Sequence, residues 1–289
     1  MDFIPVVKGS YLEGLCADGQ SVWVADPVKG GVRRCHADGT ICAWLTDRPW
    51  IGSLLRGHDD IVLVSGESII WLDGRTGASG LVADSVNGKP LPGVNEMIAD
   101  RRGAIYFGSS DLAAIARLER AAPASLYRLD PDGRVTELVG GLRFANGLAI
   151  SPDGKRLYHN ETFVGTSAYD IRPDGSLGAA VRLLDKVDCD GLAVDTDGTL
   201  WIAGFETHAI LRMRPDGTLI DPVPIPGGGA TNVRFGGPDL RDLYVTTVAQ
   251  GAAMRLAAGM GPEAEDSVLY RGRSDVAGLA VPRAALPAA

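Results

Sequence analysis

The chain has no run of 18 apolar residues and no basic segment leading into an apolar one near its start. Neither a membrane-spanning helix nor a secretory leader is therefore expected, and a cytoplasmic location is the default. Positive charge is in deficit: 28 Lys and Arg face 36 Asp and Glu, a net charge of -8 with a pI near 5.0. That balance argues against nucleic acid or an anionic membrane as partner. Only four cysteines occur, scattered at 16, 35, 42 and 189. Without an export signal they read as buried free thiols, with Cys35 and Cys42 flanking a turn as cross-strand neighbours. Cys189 has no His and acid pair of triad character with it, so it is expected to line the site rather than act as a nucleophile. A helical period is missing too, except for a short stretch from Leu112 to Ala121. With no linker or low-complexity segment, one domain over 1–289 is expected.

What is abundant is a strand repeat. Aromatic or aliphatic anchors fall at Trp23, Leu63, Tyr106, Tyr158, Trp201 and Tyr244, at intervals of 40, 43, 52, 43 and 43 residues. A period of about 40 to 45 residues holding several short strands is the signature of β-propeller blades. Besides Asp190-Gly191, eight Asp-Gly pairs, beginning at Asp18, Asp38, Asp73, Asp132, Asp153, Asp174, Asp197 and Asp216, separate short alternating runs. Asp-Gly accepts the positive φ of tight hairpins, so the strands are antiparallel neighbours. The reading is all-β, a six-bladed propeller with four-stranded antiparallel blades.

Four copies of the repeat share a register: Glu13-Gly14-Leu15-Cys16, Asn95-Glu96-Met97-Ile98, Asn146-Gly147-Leu148-Ala149 and Asp190-Gly191-Leu192-Ala193. Equivalent positions on the inner strands of a propeller converge on its axis, so Glu13, Asn95, Asn146 and Asp190 are expected to form a cation site. All four offer oxygen, which suits Ca²⁺ first, with Mg²⁺ and Mn²⁺ close behind and Zn²⁺ or Fe²⁺ as alternatives. Any one of these residues alone would more simply cap a strand; four in register favour the metal.

If the ligands begin the inner strands, the segments leading into those strands and the links from second to third strands share the metal-side face. Substrate contacts are expected from Gly93, Val94, Trp50, Phe144, Glu161, Phe163, Phe205 and His208. Leu112, Ile115, Ala116 and Leu118 form a candidate lid or a plain surface insertion. Of the four histidines only His159 and His208 belong near this mouth, His159 as a packed residue. Glu96 and Glu161 are placed to orient ligands or waters.

The strings Leu12-Glu13-Gly14, Phe144-Ala145-Asn146-Gly147-Leu148-Ala149, Ser151-Pro152-Asp153-Gly154-Lys155, Asp188-Cys189-Asp190-Gly191-Leu192 and Phe235-Gly236-Gly237-Pro238-Asp239-Leu240 resemble the senescence marker protein/gluconolactonase/luciferin-regenerating enzyme family (regucalcin-like). The resemblance implies a six-bladed propeller with one catalytic divalent metal at Glu13, Asn146 and Asp190, with Asn95 contacting metal or substrate, and lactone hydrolysis as the activity. A small-molecule lactone is then the partner, and a monomer or small homo-oligomer the expected state. Asp190 would serve as ligand and as the base that takes a proton from water. One departure stands out: sugar-lactonase members usually carry Arg-Phe-Asn-Asp-Gly where this chain has Gly93-Val94-Asn95-Glu96-Met97. Either Arg143 or Arg48 supplies the missing grip, or the substrate is less polar than an aldonolactone, the preferred reading. Two alternatives stay open, a phosphotriesterase like the calcium propeller diisopropylfluorophosphatase and a non-catalytic calcium-binding propeller.

Overall fold

The computed structural model describes residues 1–111, 114, 121–252, 255 and 266–286. The candidate lid residues Leu112, Ile115, Ala116 and Leu118 lie outside the described residues. Six four-stranded antiparallel sheets follow one another along the chain. Blade one is β2–β5 (Glu13–Ala17, Ser21–Ala25, Val32–His36, Ile41–Trp44), and blade two is β6–β9 (Leu54–Arg56, Ile61–Val64, Ile69–Asp73, Ser79–Ala83). A small hairpin, β10–β11 (Ser85–Val86, Lys89–Pro90), precedes blade three, β12–β15 (Val94–Ala99, Ile105–Ser109, Ala124–Leu129, Val135–Leu142). Blade four is β16–β19 (Ala145–Ile150, Arg156–Glu161, Gly165–Asp170, Val181–Asp185) and blade five β20–β23 (Cys189–Val194, Leu200–Gly204, Ala209–Met213, Leu219–Pro224). Blade six combines β24–β26 (Gly229–Gly236, Asp242–Val248, Ser267–Arg273) with β1 (Ile4–Gly9), which pairs with β26 as its outermost strand. The chain's first strand thus completes its last sheet and closes the ring.

Each anchor sits at the centre of a second strand and is buried, from Trp23 and Leu63 at 0% exposure to Tyr244 at 7%. Among the described residues six apolar clusters are each shared by two neighbouring blades, and a smaller one joins Tyr11, Val248 and Ala252. Trp23 packs with Leu54 and Val62 between blades one and two, and Tyr244 and Leu269 meet Leu15 and Val22 between blades six and one. Burial between blades, rather than in one central core, leaves the axis free to be lined by polar side chains. The inner strands β2, β6, β12, β16, β20 and β24 neighbour one another in a closed ring around it. The extra hairpin turns on Asn87-Gly88, both at positive φ, the backbone that a two-residue type I′ turn requires.

The hairpins carrying Asp18-Gly19, Asp153-Gly154 and Asp197-Gly198 leave the far ends of inner strands. Residues 276–286 cross that far face: Leu279 donates its N–H to Val194, while Ala284 and Ala285 donate to Arg56 and Gly103. This segment therefore spans from blade five to blades two and three.

Candidate metal centre and active site at the channel mouth

In five of the six inner strands the pairing slips at the same height: between Glu13 and Leu15, Val94 and Met97, Ala145 and Leu148, Cys189 and Leu192, and Ala230 and Asn232. A β-bulge places an extra residue against one partner and re-aims a side chain. Here the bulge residues are Glu13-Gly14, Asn95-Glu96, Asn146-Gly147, Asp190-Gly191 and Thr231-Asn232, with Gly52-Ser53 leading into β6 in the sixth position. The glycines permit crowding at the axis. A Cβ on Gly147 would stand 2.4 Å from the Asp190 carbonyl oxygen, and one on Gly191 2.6 Å from the Asn232 Cα.

Buried polar groups hold the segments that lead into the ring. Asp26, 1% exposed, accepts the backbone N–H groups of Ser10 (2.8 Å) and Tyr11 (3.3 Å) ahead of Glu13. Asp188 accepts Thr207 Oγ1 (2.8 Å) and the Glu206 N–H (3.2 Å) ahead of Asp190, and its carboxylate also pairs with Lys186. These partners hold the Asp188 carboxyl below its ordinary range against the cost of its burial. Asn160 Nδ2 donates to the Asp190 carbonyl at 2.7 Å.

The structure brings all four expected ligand residues to this ring. Asn146 donates Nδ2 to Thr162 Oγ1 (3.2 Å), and Asn95 donates Nδ2 to the Ala145 carbonyl (3.0 Å) and to Asn146 Oδ1 (3.4 Å). With the amide nitrogens so engaged, the amide oxygens are left as acceptors. Glu13 Oε2 accepts Gly14 N–H and Asn232 Nδ2, both at 3.0 Å. Asp190, 4% exposed, keeps a buried Oδ1 with no hydrogen-bond partner. Burial, reinforced by the Glu96 carboxylate and opposed by Asn232, pushes Glu13 up to about 8. Burial followed by repulsion from Glu13 and Glu96 drives Asp190 well above the usual carboxylate range.

A half-buried and a buried carboxylate raised in this way, the second with an orphan oxygen, are what a divalent cation would relieve, and the amide oxygens complete an all-oxygen set suited to a hard ion. Among the described residues no group of three or more His, Cys, Asp or Glu gathers to hold a metal. The donor set here depends on its two asparagines.

One residue below, the glycines of blades one, four and five are matched by Ser53, Glu96 and Asn232. Glu96, 1% exposed, accepts Ser53 Oγ (2.5 Å), Asn232 Nδ2 (3.2 Å) and Arg234 Nη2 (3.1 Å). Asn232 thereby links Glu96 to Glu13. Sequence reasoning missed Ser53, Asn232 and Arg234, although Gly52-Ser53 and Thr231-Asn232 occupy the register of the four copies it aligned. It missed Tyr11 and Glu206 as well. Tyr11 is 8% exposed, and burial with the Asp190, Glu13 and Glu206 carboxylates raises its phenol well above its ordinary value. Glu206 keeps a buried Oε1 without a partner.

The expected mouth residues divide. Phe163 is 41% exposed at positive φ with the Arg143 guanidinium 5.5 Å over its ring. Phe144 and Trp50 are half-buried and Phe205 is buried. Trp50 and Leu91 line a cavity of about 670 Å³ on this side. His208 is exposed and meets the Gly227 carbonyl at 2.9 Å. Glu161 accepts the Arg143 N–H at 2.8 Å, so it fixes the segment before Asn146.

Val94 is a correction: it is wholly buried in the cluster between blades two and three, because its pairing with Ser109 turns it away from the axis. Gly93 sits buried at φ +132, a backbone that strains any side chain. Arg48 is spent on the Ser65 and Ser68 carbonyls (3.3 and 2.8 Å) and supplies no grip.

Cys189 also departs from expectation. It is fully buried, its thiol donates to the Glu161 carbonyl at 3.4 Å, and burial pushes it up to about 12, so it packs between blades instead of lining the site. Cys35 pairs with Ile41 and Cys42 with Arg34, so the two are diagonal, and all four thiols are free. His159 is packed as expected, fully buried with neither ring nitrogen bonded.

A six-bladed propeller with oxygen-bearing side chains ringed at one end of its axis is a fold that the comparisons assign to one family. Residues 11–249 match the SMP-30/gluconolactonase/LRE-like region; the chain belongs to that family. It is 35% identical to a pentonolactonase of Haloferax volcanii over 178 residues, 58% of this chain and 57% of that protein. The chain thus aligns with little more than half the length of that relative. An L-arabinolactonase of Azospirillum brasilense is 30% identical over 226 residues, 75% of this chain and 73% of its own. Among solved structures, a calcium-binding regucalcin from Agrobacterium tumefaciens superposes with a TM-score of 0.80 at 22% identity, covering 97% of both chains.

Proposed function

We propose that this protein is a metal-dependent lactone hydrolase whose centre is the ring of Glu13, Asn95, Asn146 and Asp190. The observation that carries the reading is the half-buried Glu13 beside the buried Asp190 with its unpartnered oxygen, at the channel mouth of a chain whose relatives include named lactonases. Glu13, Asn146 and Asp190 would hold the cation, with Asn95 contacting it or the substrate. A divalent ion bound there supplies polarisation of the lactone carbonyl and charge stabilisation as the ring opens.

The chain's own groups do the rest. Asp190 accepts the proton of the attacking water on the carboxylate oxygen that does not face the ion, and the Asn232–Glu96–Arg234 network fixes Glu13 from below. Because Phe163, Phe144 and Trp50 supply apolar surface, Arg143 lies over the Phe163 ring and Arg48 is engaged elsewhere, the reading favours alkyl- or aryl-substituted lactones over aldonolactones. A buried methylene is worth about 0.8 kcal/mol, so a few carbons outweigh one lost hydroxyl contact.

The test is a panel of aldonolactones, alkyl and aryl lactones and a phosphotriester, assayed on metal-stripped protein re-supplied with Ca²⁺, Mn²⁺, Mg²⁺, Zn²⁺ or Fe²⁺. Metal-restored lactone opening is expected, with Ca²⁺ restoring it best and kcat/KM highest for the less polar lactones. Hydrolysis of the phosphotriester alone, or stoichiometric Ca²⁺ binding without hydrolysis, would replace this reading with one of its alternatives.

A further inference from the structure

The far end of the axis carries a second cavity, of about 570 Å³, within the range of small-molecule pockets. Its wall is apolar, with Leu148, Ile150, Ile171 and Leu192 from the blades and Leu279 and Val281 from the crossing C-terminal segment. That segment is fixed: its backbone bonds tie it to Val194, Arg56 and Gly103, and at Gly278 it approaches Phe235 so closely that an added Cβ would stand 2.0 Å from the ring. The cavity is thus roofed on one side by ordered chain.

The rim is cationic in a protein of net charge -8. Arg101, Arg102, Lys155 and Arg172 all border the cavity. The guanidinium groups of Arg101, Arg102 and Arg172 donate to the carbonyls of Pro152 (2.5 Å), Pro173 (2.9 Å) and Leu177 (2.7 Å) rather than to carboxylates. The two rim acids are occupied by their own turns. Asp100 Oδ1 accepts the N–H groups of Arg102 and Ala104, and Asp153 Oδ1 accepts Ser151 Oγ and the Lys155 N–H. At the floor stands Arg234, whose guanidinium bonds Glu96 on its other side.

We propose that this far-face cavity is a second small-molecule site, distinct from the ring of oxygen ligands, that takes a single-chain amphiphilic organic anion. The hydrocarbon body lies against Leu148, Ile150, Leu279 and Val281, and the carboxylate or sulfonate stays at the rim among Lys155, Arg172, Arg101 and Arg102. The apolar wall and the cationic edge are both needed: a sugar phosphate would waste the wall, and a neutral chain would waste the edge.

The test is titration of the full-length protein with 1-anilinonaphthalene-8-sulfonate, followed by competition with decanoate and with decanol. One saturable site is expected, displaced by decanoate at least about tenfold more effectively than by decanol, the ratio that a single charge-assisted contact of about 1.4 kcal/mol gives. Lys155→Glu combined with Arg172→Glu, both exposed positions, should weaken the probe by about tenfold or more while near-ultraviolet circular dichroism stays native. Ala280→Trp, which fills the cavity from the exposed side of the crossing segment, should abolish binding by a route that leaves the charges intact. Asp190→Asn should leave the probe's affinity unchanged. Equal displacement by decanol, indifference to both variants, or sedimentation with anionic phosphatidylglycerol vesicles in place of one-to-one binding would overturn the proposal.

Discussion

The two ends of the axis are built from the same six strands and have opposite chemistry. At the mouth, bulges turn Glu13, Asn95, Asn146 and Asp190 inward, and acids crowd until burial and mutual repulsion raise them. Three residues further along those strands the equivalent positions are Cys16, Ile98, Ala149, Ala193 and Arg234, and the channel opens into an apolar cavity edged by cations. Between them lies the Glu96–Arg234 ion pair, with side chains only 2% and 8% exposed. The difference teaches that a propeller separates function by height along the axis: one residue's displacement along an inner strand moves a side chain from one environment to the next.

The largest effect expected from breaking the mouth is on turnover. On the proposed mechanism Asp190→Asn keeps an oxygen for the ion and loses the proton acceptor, so lactone hydrolysis should fall by roughly two to four orders of magnitude. Steady-state kinetics beside a metal-binding isotherm checks this. Full activity would remove Asp190 from the role of base.

Cutting the link between the two ends comes next. Arg234→Met leaves Glu96 buried without its cation, a loss of about 3–5 kcal/mol because the orphaned charge keeps its desolvation cost. Urea denaturation measures it. The double variant Arg234→Met with Glu96→Gln should recover a large part of that loss, and an absence of recovery would show that packing, not charge, is what Arg234 supplies.

A finer division concerns the residues proposed to hold the ion. Glu13 brings charge as well as oxygen and Asn95 only oxygen, so Glu13→Gln should weaken divalent-ion affinity more than Asn95→Ala in titration calorimetry. The reverse order would move the ion away from Glu13.

The smallest expected effect is a slope. His159, on β17 just below the mouth, is pushed down to about 3 by burial, from an ordinary value of about 6.5. Below that ordinary value the unfolded chain takes up a proton that the folded chain refuses. The stability tied to His159 is therefore complete above about pH 6.5 and declines as pH falls toward 3, by at most about 1.4 kcal/mol per unit. His159→Phe should flatten the dependence of the urea midpoint between pH 4 and 6. An unchanged slope would assign the acid sensitivity to the carboxylates instead.

Much of this was legible in the chain before folding. The 40- to 52-residue spacing of Trp23, Leu63, Tyr106, Tyr158, Trp201 and Tyr244 marked six second strands, because each blade needs one large side chain at the same depth to fill the gap to its neighbour. The shared register of Glu13, Asn95, Asn146 and Asp190 placed them together for a related reason: rotation about an axis turns sequence equivalence into proximity.

What only the tertiary structure decided was direction and partnership. Val94 and Cys189 adjoin Asn95 and Asp190 yet point into the spaces between blades, since the bulge turns its own residues inward while the residue before it stays in the sheet. Closure by β1, the union of Glu96 with Arg234 and Asn232 across some 136 residues of sequence, and the passage of residues 276–286 over the far cavity join segments with no common local pattern. Periodicity determines which residues share a height; which side chains meet there depends on closing the ring, because packing and desolvation act between strands that are neighbours only once it is closed.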